Sequence, residues 1–398
     1  MEKRNRIFTF FDVAIIVVLT AVIMYFLGGI LVFKHLGGVN YSLLADDKSL
    51  QEFIAAYNDL VDNYYDQLDK TELIEGAISG MYSKINDPYT TYLDSNNSAN
   101  LTDMLNGSYQ GIGVRIGASA SGEVVIAEVF DGSPAAKAGL LEGDVIIKVN
   151  SEDVTAKSTT EIVNLIKGSN SKSTDITVNR NGESHTYTVS IEDLMVPVVN
   201  AKLLNRNGKN IGYISMSVFN DTADVQFANS LSSLENSGIS SLVIDLRGNS
   251  GGYLQVAENI AEMFLEKGKI IYTLESKESK EDYKDNTSEK RTYPVVVLVN
   301  KSSASASEIL AAALKYSYGA TVIGETSYGK GKVQERAGLS NGNTVKYTTA
   351  LWLTPNGDCV DGLGLVPDEI VALDVDTYNP YDIYSDSQVL YALKYLAD

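Results

Sequence analysis

Val295-Val-Val-Leu-Val-Asn-Lys-Ser-Ser-Ala-Ser-Ala-Ser-Glu-Ile-Leu310 runs from five consecutive aliphatic residues into a cluster of serines and alanines. An aliphatic run of this length fits a central strand covered on both faces. The small residues after it mark a strand-to-helix junction, where a side chain can face a cleft without steric cover. Four serines compete there, Ser302, Ser303, Ser305 and Ser307, and Ser305 with Glu308 also matches the S-x-x-E box that caps a helix. Leu242-Val-Ile-Asp-Leu246 is a second buried run of the same kind. Around these two, strands and helices are expected in alternation: Ile211 to Val218, Asp224 to Ser237, Ser241 to Leu246, Tyr253 to Glu266, Val295 to Val299 and Ala304 to Tyr316. That alternation predicts an α/β half. The charged run Glu275 to Arg291 is expected to be a solvent-exposed excursion, and Ser385 to Leu396 a last helix that covers the core or packs on another subunit, so a homodimer is an open expectation.

Upstream, the pattern from Tyr109 to about Ile191 is strand and turn, with one helix at Thr159 to Lys167. Tyr109-Gln-Gly-Ile-Gly-Val-Arg115, Gly132-Ser-Pro-Ala-Ala-Lys-Ala-Gly-Leu140 and Glu142-Gly-Asp-Val-Ile-Ile-Lys-Val-Asn150 follow one another in an order that resembles a PDZ domain, an α+β module. In that setting Gly111, Ile112, Gly113 and Val114 would present backbone N–H groups to a peptide's C-terminal carboxylate, beside a strand edge that pairs with the extended peptide. Ser49 to about Tyr92 reads as helical, with apolar faces through Phe53, Ala56, Tyr57, Leu60 and Leu73, Ile74, Ala77, Ile78; Asn86-Asp-Pro88 ends it as a turn. The polar stretch Asp94 to Gly107 is expected to be a boundary.

At the N-terminus Lys3, Arg4 and Arg6 precede Val13 to Phe33, a run without a charge. At about 1.5 Å per helical residue it would reach about 30 Å, a bilayer core. An uncleaved transmembrane anchor is expected, with the basic cluster in the cytoplasm and everything after about residue 35 outside. The expected organisation is a cytoplasmic tail 1–12, an anchor 13–33, a helical segment 49–100, a PDZ domain 107–192, an α/β core 196–375 and a C-terminal helical segment 376–398.

The net charge of −19 argues against nucleic acid as a partner. Cys359 is the one cysteine and the two histidines do not cluster with it, so neither a disulfide nor a zinc site is expected, and no metal or other cofactor. His35 follows the apolar segment and His185 lies in an alternating strand; neither is placed as a general base. An activated serine would then need another base. Lysine serves when burial lowers its pKa from about 10.4 towards neutrality. Gly329-Lys-Gly-Lys332 holds two candidates, Lys330 and Lys332.

Taken together, the chain resembles the carboxyl-terminal processing peptidases, tail-specific serine proteases. The resemblance spans everything after the anchor and is carried by Asp245-Leu-Arg-Gly-Asn-Ser-Gly-Gly252, Ser303-Ala-Ser-Ala-Ser-Glu308, Gly324-Glu-Thr-Ser-Tyr-Gly-Lys-Gly-Lys-Val-Gln334, Leu353-Thr-Pro-Asn-Gly357 and Gly364-Leu-Val-Pro-Asp368. It implies Ser305 as nucleophile, Lys330 as general base, Gln334 as the residue orienting the lysine, and the backbone N–H groups of Gly251 and Ala306 as the oxyanion hole. Lys332 falls on a variable position. The dipole of a helix opening at Ala306 would add to that stabilisation. The implied function is that of a membrane-anchored, extracytoplasmic serine endopeptidase that takes protein or peptide substrates by their C-termini and cleaves through an acyl-enzyme, with the PDZ domain gating access. The alternatives are a catalytically silent membrane-bound PDZ adaptor, which should have lost a catalytic group, and an unrelated Ser/Lys esterase or amidase, which would have no use for a carboxylate-binding module.

Overall fold

The computed structural model describes residues 47–119, 122–167, 172–380 and 382–398; the expected anchor Val13–Phe33 and the tail before it lie outside these residues. Among the described residues no helix is long and apolar enough to cross a membrane. The chain divides into two units after Gly80. In the first, α1 (Lys48–Asn63) starts where Asp47 accepts from the N–H groups of Ser49 and Leu50, and α2 (Lys70–Ser83) follows, with the division falling within its last turn.

The second unit opens with two corrections. Thr91 and Tyr92, expected at the end of a helix, form β1 (Thr91–Leu93), because the helix has already ended at Ser83 and the β-branched and aromatic residues after the turn suit a pleated edge. The polar stretch after Asp94 is a helix, α3 (Ser95–Asn106): Asp94 accepts from Asn97 N–H at 2.8 Å, and Gly107 ends it at φ +63°. Sparse apolar residues hid this helix, whose ends are set by capping rather than by an apolar face.

β2 (Ser108–Gly111), β3 (Val114–Ala118), β4 (Val124–Val129), α4 (Pro134–Ala138), β5 (Val145–Val149), β6 (Glu152–Asp153), α5 (Thr159–Lys167), β7 (Ser173–Arg180), β8 (Glu183–Ser190) and β9 (Glu192–Met195) build the strand-rich module. Its antiparallel sheet runs β3-β4-β5-β7-β8 with β6 on β5, while β2 and β9 pair at its entry and exit. Ile126, Ile146, Ile162, Ile176 and Val178 fill its core. Ser133 caps α4, Pro134 occupies its first turn, and Gly139 ends it at φ +94°, so the glycine and proline pattern has a mechanical meaning.

β10 (Val199–Arg206), β11 (Lys209–Met216), α6 (Ala223–Asn236), β12 (Ser241–Asp245), α7 (Leu254–Glu262), β13 (Ile270–Ser276), β14 (Lys280–Lys284), β15 (Val295–Val299), α8 (Ala306–Ala313), β16 (Thr321–Gly324), β17 (Lys332–Gly338), β18 (Thr344–Leu353), β19 (Glu369–Ile370) and α9 (Ser387–Ala397) form the α/β core. The main sheet runs β10-β11-β12-β15-β16-β19, parallel from β11 onward. Alternate residues of its strands enter different clusters. Ile244, Val295 and Val297 pack with Phe227, Phe264 and Trp352 under α6, α7 and α8, whereas Val243, Val296 and Leu298 pack with Val389 and Leu393 of α9. The last helix therefore covers the core. The charged run is exposed along most of its length, as expected, and much of it is ordered as a hairpin: β13 and β14 join an antiparallel sheet with β18, β17 and β1, and Tyr283 stacks on Tyr272 at 4.6 Å.

Candidate active site

Three loops leave the C-terminal ends of the adjacent parallel strands β12, β15 and β16, the edge at which open α/β sheets hold ligands. They are residues 246–252, 300–305 and 325–331. Polar side chains staple the first two together: Ser303 Oγ donates to Leu246 O and Ser307 Oγ to Asn249 O, both at 2.8 Å, and Ala304 N–H donates to Asn249 O at 3.0 Å. This decides the competition among the serines. Ser303 and Ser307 are buried and committed to carbonyls, and Ser302 is exposed, whereas the Ser305 hydroxyl donates to no acceptor among the described residues.

Ser305 stands on a strained elbow at φ +55°, ψ −116° and is 7% exposed. Every other described non-glycine residue at positive φ is an asparagine, a residue that tolerates that region. Such a backbone stores about 1–3 kcal/mol and persists only where its surroundings enforce it. Gly251 is part of that enforcement: at φ +104°, a Cβ on it would lie 2.8 Å from Ala304 O and 2.9 Å from Ser305 Cβ. Its N–H donates to Asn249 Oδ1 at 2.9 Å, so the expected oxyanion donor is engaged within its own turn. The Ala306 N–H, at the first position of α8, makes no backbone hydrogen bond among the described residues.

Glu308 is the residue the sequence undervalued. Its carboxylate is fully buried and does accept Ser305 N–H at 2.8 Å, as the capping box requires, but it also accepts Lys330 N–H at 2.9 Å, Gly329 N–H at 2.7 Å and the Ser327 hydroxyl. One carboxylate thus fixes the serine elbow and the lysine loop. That loop is held on its other side by Trp352, whose indole N–H donates to Lys330 O at 2.8 Å, and by residues 360–364, packed so closely that a Cβ on Gly329 would sit 2.7 Å from Gly364 N.

Ser305, Lys330, Gly251 and Gln334 line one cavity of about 420 Å³ with Arg336 and Lys346. Burial pushes the pKa of Lys330 down from the usual lysine value and the charge on Lys346 acts in the same direction, against Glu308 and Asp87. The Lys330 ammonium lies 5.0 Å from the centre of the Tyr89 ring and makes no hydrogen bond or ion pair among the described residues. Gln334, expected to hold it, instead sends Nε2 to Thr348 Oγ1 at 3.4 Å. Lys332 is paired with Asp87 at 3.3 Å, in keeping with its omission. Asp87, read only as part of a turn, is a second hub. Burial pushes its carboxyl up, but hydrogen bonds from Thr348, Thr90, the Tyr89 N–H and Lys332 hold it at about 2.

Away from this cavity, Gly111–Val114 forms the loop between β2 and β3. Gly113 stands at φ +86°, and the carbonyls of Ile112 and Gly113 accept from Ala135 and Phe130, leaving the N–H groups of Ile112 and Gly113 without backbone partners among the described residues. His185 is a half-exposed strand residue 3.7 Å from Glu183, and no group of metal-binding side chains occurs among the described residues.

A sequence profile of peptidase family S41 matches residues 210–371, a PDZ profile 125–180, and a profile of the N-terminal domain of the activating protease CtpB 38–97. The carboxy-terminal processing protease CtpB of Bacillus subtilis is 38% identical over 324 residues, covering 81% of this chain and 67% of that protein. The chain belongs to the carboxy-terminal processing proteases. CtpA of the same organism is 37% identical over 322 residues, covering 81% of this chain and 68% of the relative. Among solved structures, the photosystem II D1 C-terminal processing protease matches with 26% identity and a TM-score of 0.51, over 88% of this chain and 92% of that one. This member of the family is therefore a serine peptidase with a PDZ domain.

Proposed function

We propose that the chain is a membrane-anchored endopeptidase working outside the cytoplasm, which seizes substrates by their C-termini and cleaves them with Ser305 and Lys330. One observation carries this reading: Ser305, on its strained elbow, is the buried serine of the cluster whose hydroxyl is not donated to a carbonyl, and it shares a cavity with a lysine whose affinity for a proton is lowered by burial. Neutral Lys330 takes the Ser305 proton as Oγ attacks the scissile carbonyl carbon. The resulting ammonium returns that proton to the departing amine. Water then attacks the ester by the same route, releasing the acid and restoring the Ser305 hydroxyl. Negative charge on the tetrahedral oxygen is met by Ala306 N–H at the start of α8 and by Gly251 N–H once it leaves Asn249. Arming the site also requires the long Lys330 side chain to leave the Tyr89 ring, and Gln334 then orients the amine.

The N–H groups of Ile112 and Gly113, without backbone partners among the described residues, support recognition of a chain-terminal carboxylate, and the basic residues before Val13–Phe33 support an anchor with the catalytic part outside. On a peptide substrate, Ser305→Ala and Lys330→Ala should each lower kcat by at least about 100-fold, the usual contribution of a positioned proton-transfer group, without altering the melting temperature. Turnover like the unmodified protein's in either variant would overturn the assignment. Amidating the substrate's C-terminus should raise KM; an unchanged KM would exclude carboxylate capture. External protease should digest the catalytic part on sealed cells, and protection would contradict the location.

A further inference from the structure

Lys346 on β18 stands directly opposite Arg336 on β17. Two like charges at opposed positions of an antiparallel pair destabilise a sheet, so the arrangement calls for another reason. Both line the cavity of Ser305 and Lys330, and no carboxylate lines it with them. Arg336 has an outlet: Nη2 donates to the Tyr253 hydroxyl at 3.1 Å and its guanidinium lies 5.7 Å from the centre of that ring. Lys346 has none. It is half-buried, and its ammonium makes no hydrogen bond or ion pair among the described residues. The nearby carboxylates are already used, Asp87 by Thr348, Thr90 and Lys332, and Glu308 by Ser305, Ser327, Gly329 and Lys330.

We propose that Lys346 tunes the general base: its ammonium, held in the catalytic cavity where no carboxylate lines the wall, opposes a second positive charge there and so favours the neutral form of Lys330 that accepts the Ser305 proton. A cationic neighbour is one of the two physical means by which a lysine is made reactive, desolvation being the other, and both meet at Lys330. The remaining charged and titratable groups around Lys330 are Glu308 from α8, Asp87 and Tyr89 from the turn before β1, Tyr328 from its own loop, Asp361 beyond β18, and Lys332 and Arg336 from β17. Glu308 and Asp87 draw a proton towards Lys330. Lys346 is the opposing charge; burial lowers the proton affinity of Lys346 itself, Arg336 adds to that, and Asp87 acts against both.

The inference rests on the Ser305/Lys330 reading, and one set of full-length variants tests the two separately through the pH dependence of kcat/KM on a neutral peptide. Removing a positive charge raises the affinity of Lys330 for its proton, so the neutral amine appears only at higher pH. In Lys346→Met the acid limb should therefore move to higher pH by about one unit, with about a tenfold loss on that limb and recovery at alkaline pH. Lys346→Arg should keep the original limb. Because the substitution by Met relieves the clash with Arg336, the melting temperature should hold or rise. An unmoved limb with a loss uniform in pH, a lowered melting temperature with no limb shift, or no loss at all would overturn the proposal. So would a loss confined to substrates bearing an acidic residue, which would make Lys346 a carboxylate subsite instead. If Lys330→Ala retains turnover, it is the base assignment that fails; if it abolishes turnover while Lys346→Met leaves the limb in place, only the tuning role fails.

Discussion

Glu308 accepts four hydrogen bonds and every partner is a donor, which sets what a substitution does. In Glu308→Gln one oxygen becomes an NH₂ that must face N–H or O–H donors, leaving buried groups unpaired at about 1–3 kcal/mol. We expect a lower melting temperature and a fall in kcat with KM held, read by steady-state kinetics at a temperature where the variant is folded; an unchanged kcat would remove Glu308 from the positioning of Ser305 and Lys330. The sequence made part of this legible. Ser305, Lys330 and Gln334 could be placed because their flanking glycines and alanines follow a family pattern, and the cavity collects all three. Glu308 read as a helix cap because its other donors, Ser327, Gly329 and Lys330, arrive from a loop about twenty residues away, and no local pattern announces a contact across such a gap. Gln334 was assigned to Lys330 by resemblance; its described partner, Thr348, is its neighbour across the β17–β18 ladder.

Among the elements, the three loops at the ends of β12, β15 and β16 work as one device because each is pinned to the next. Gly251 is where that device has no slack. A Gly251→Ala side chain would meet Ala304 O and Ser305 Cβ below 3 Å at a φ that L-residues avoid, so either the turn or the serine elbow must move. The variant should lose about 1–3 kcal/mol of stability, measured by denaturant unfolding, together with most of its peptidase activity. Retained activity at full stability would show that the turn does not constrain Ser305. The strands here were readable from sequence because burial on both faces leaves continuous aliphatic runs, as in Val295–Val299. α3 and β1 were not: the first is defined by Asp94 and Gly107 at its ends, and the second is a three-residue strand that exists by pairing with β18 about 250 positions later.

For the molecule as a whole, Asp87 ties the turn before β1 to the sheet beneath the active-site cavity through Thr348 Oγ1 at 2.6 Å and Lys332 at 3.3 Å. Its carboxyl is held at about 2 against an ordinary 3.8, so the folded state favours the ionised form. The stability this supplies is complete above the ordinary value and is lost as pH falls through the folded one. Asp87→Asn should therefore flatten the dependence of unfolding free energy on pH between about 4 and 2, and an unchanged acid limb of stability would contradict the assignment. The composition pointed away from metal and nucleic-acid chemistry, and the proposed lysine base lies in a folded cavity where burial and Lys346 both lower its affinity for a proton. The central claim is tested most directly by reacting the full-length protein with a fluorophosphonate and locating the adduct by peptide mass spectrometry. The account predicts one adduct, on Ser305, absent from Ser305→Ala and formed far more slowly in Lys330→Ala. An adduct on Ser302, Ser303 or Ser307, or an undiminished rate without Lys330, would contradict it.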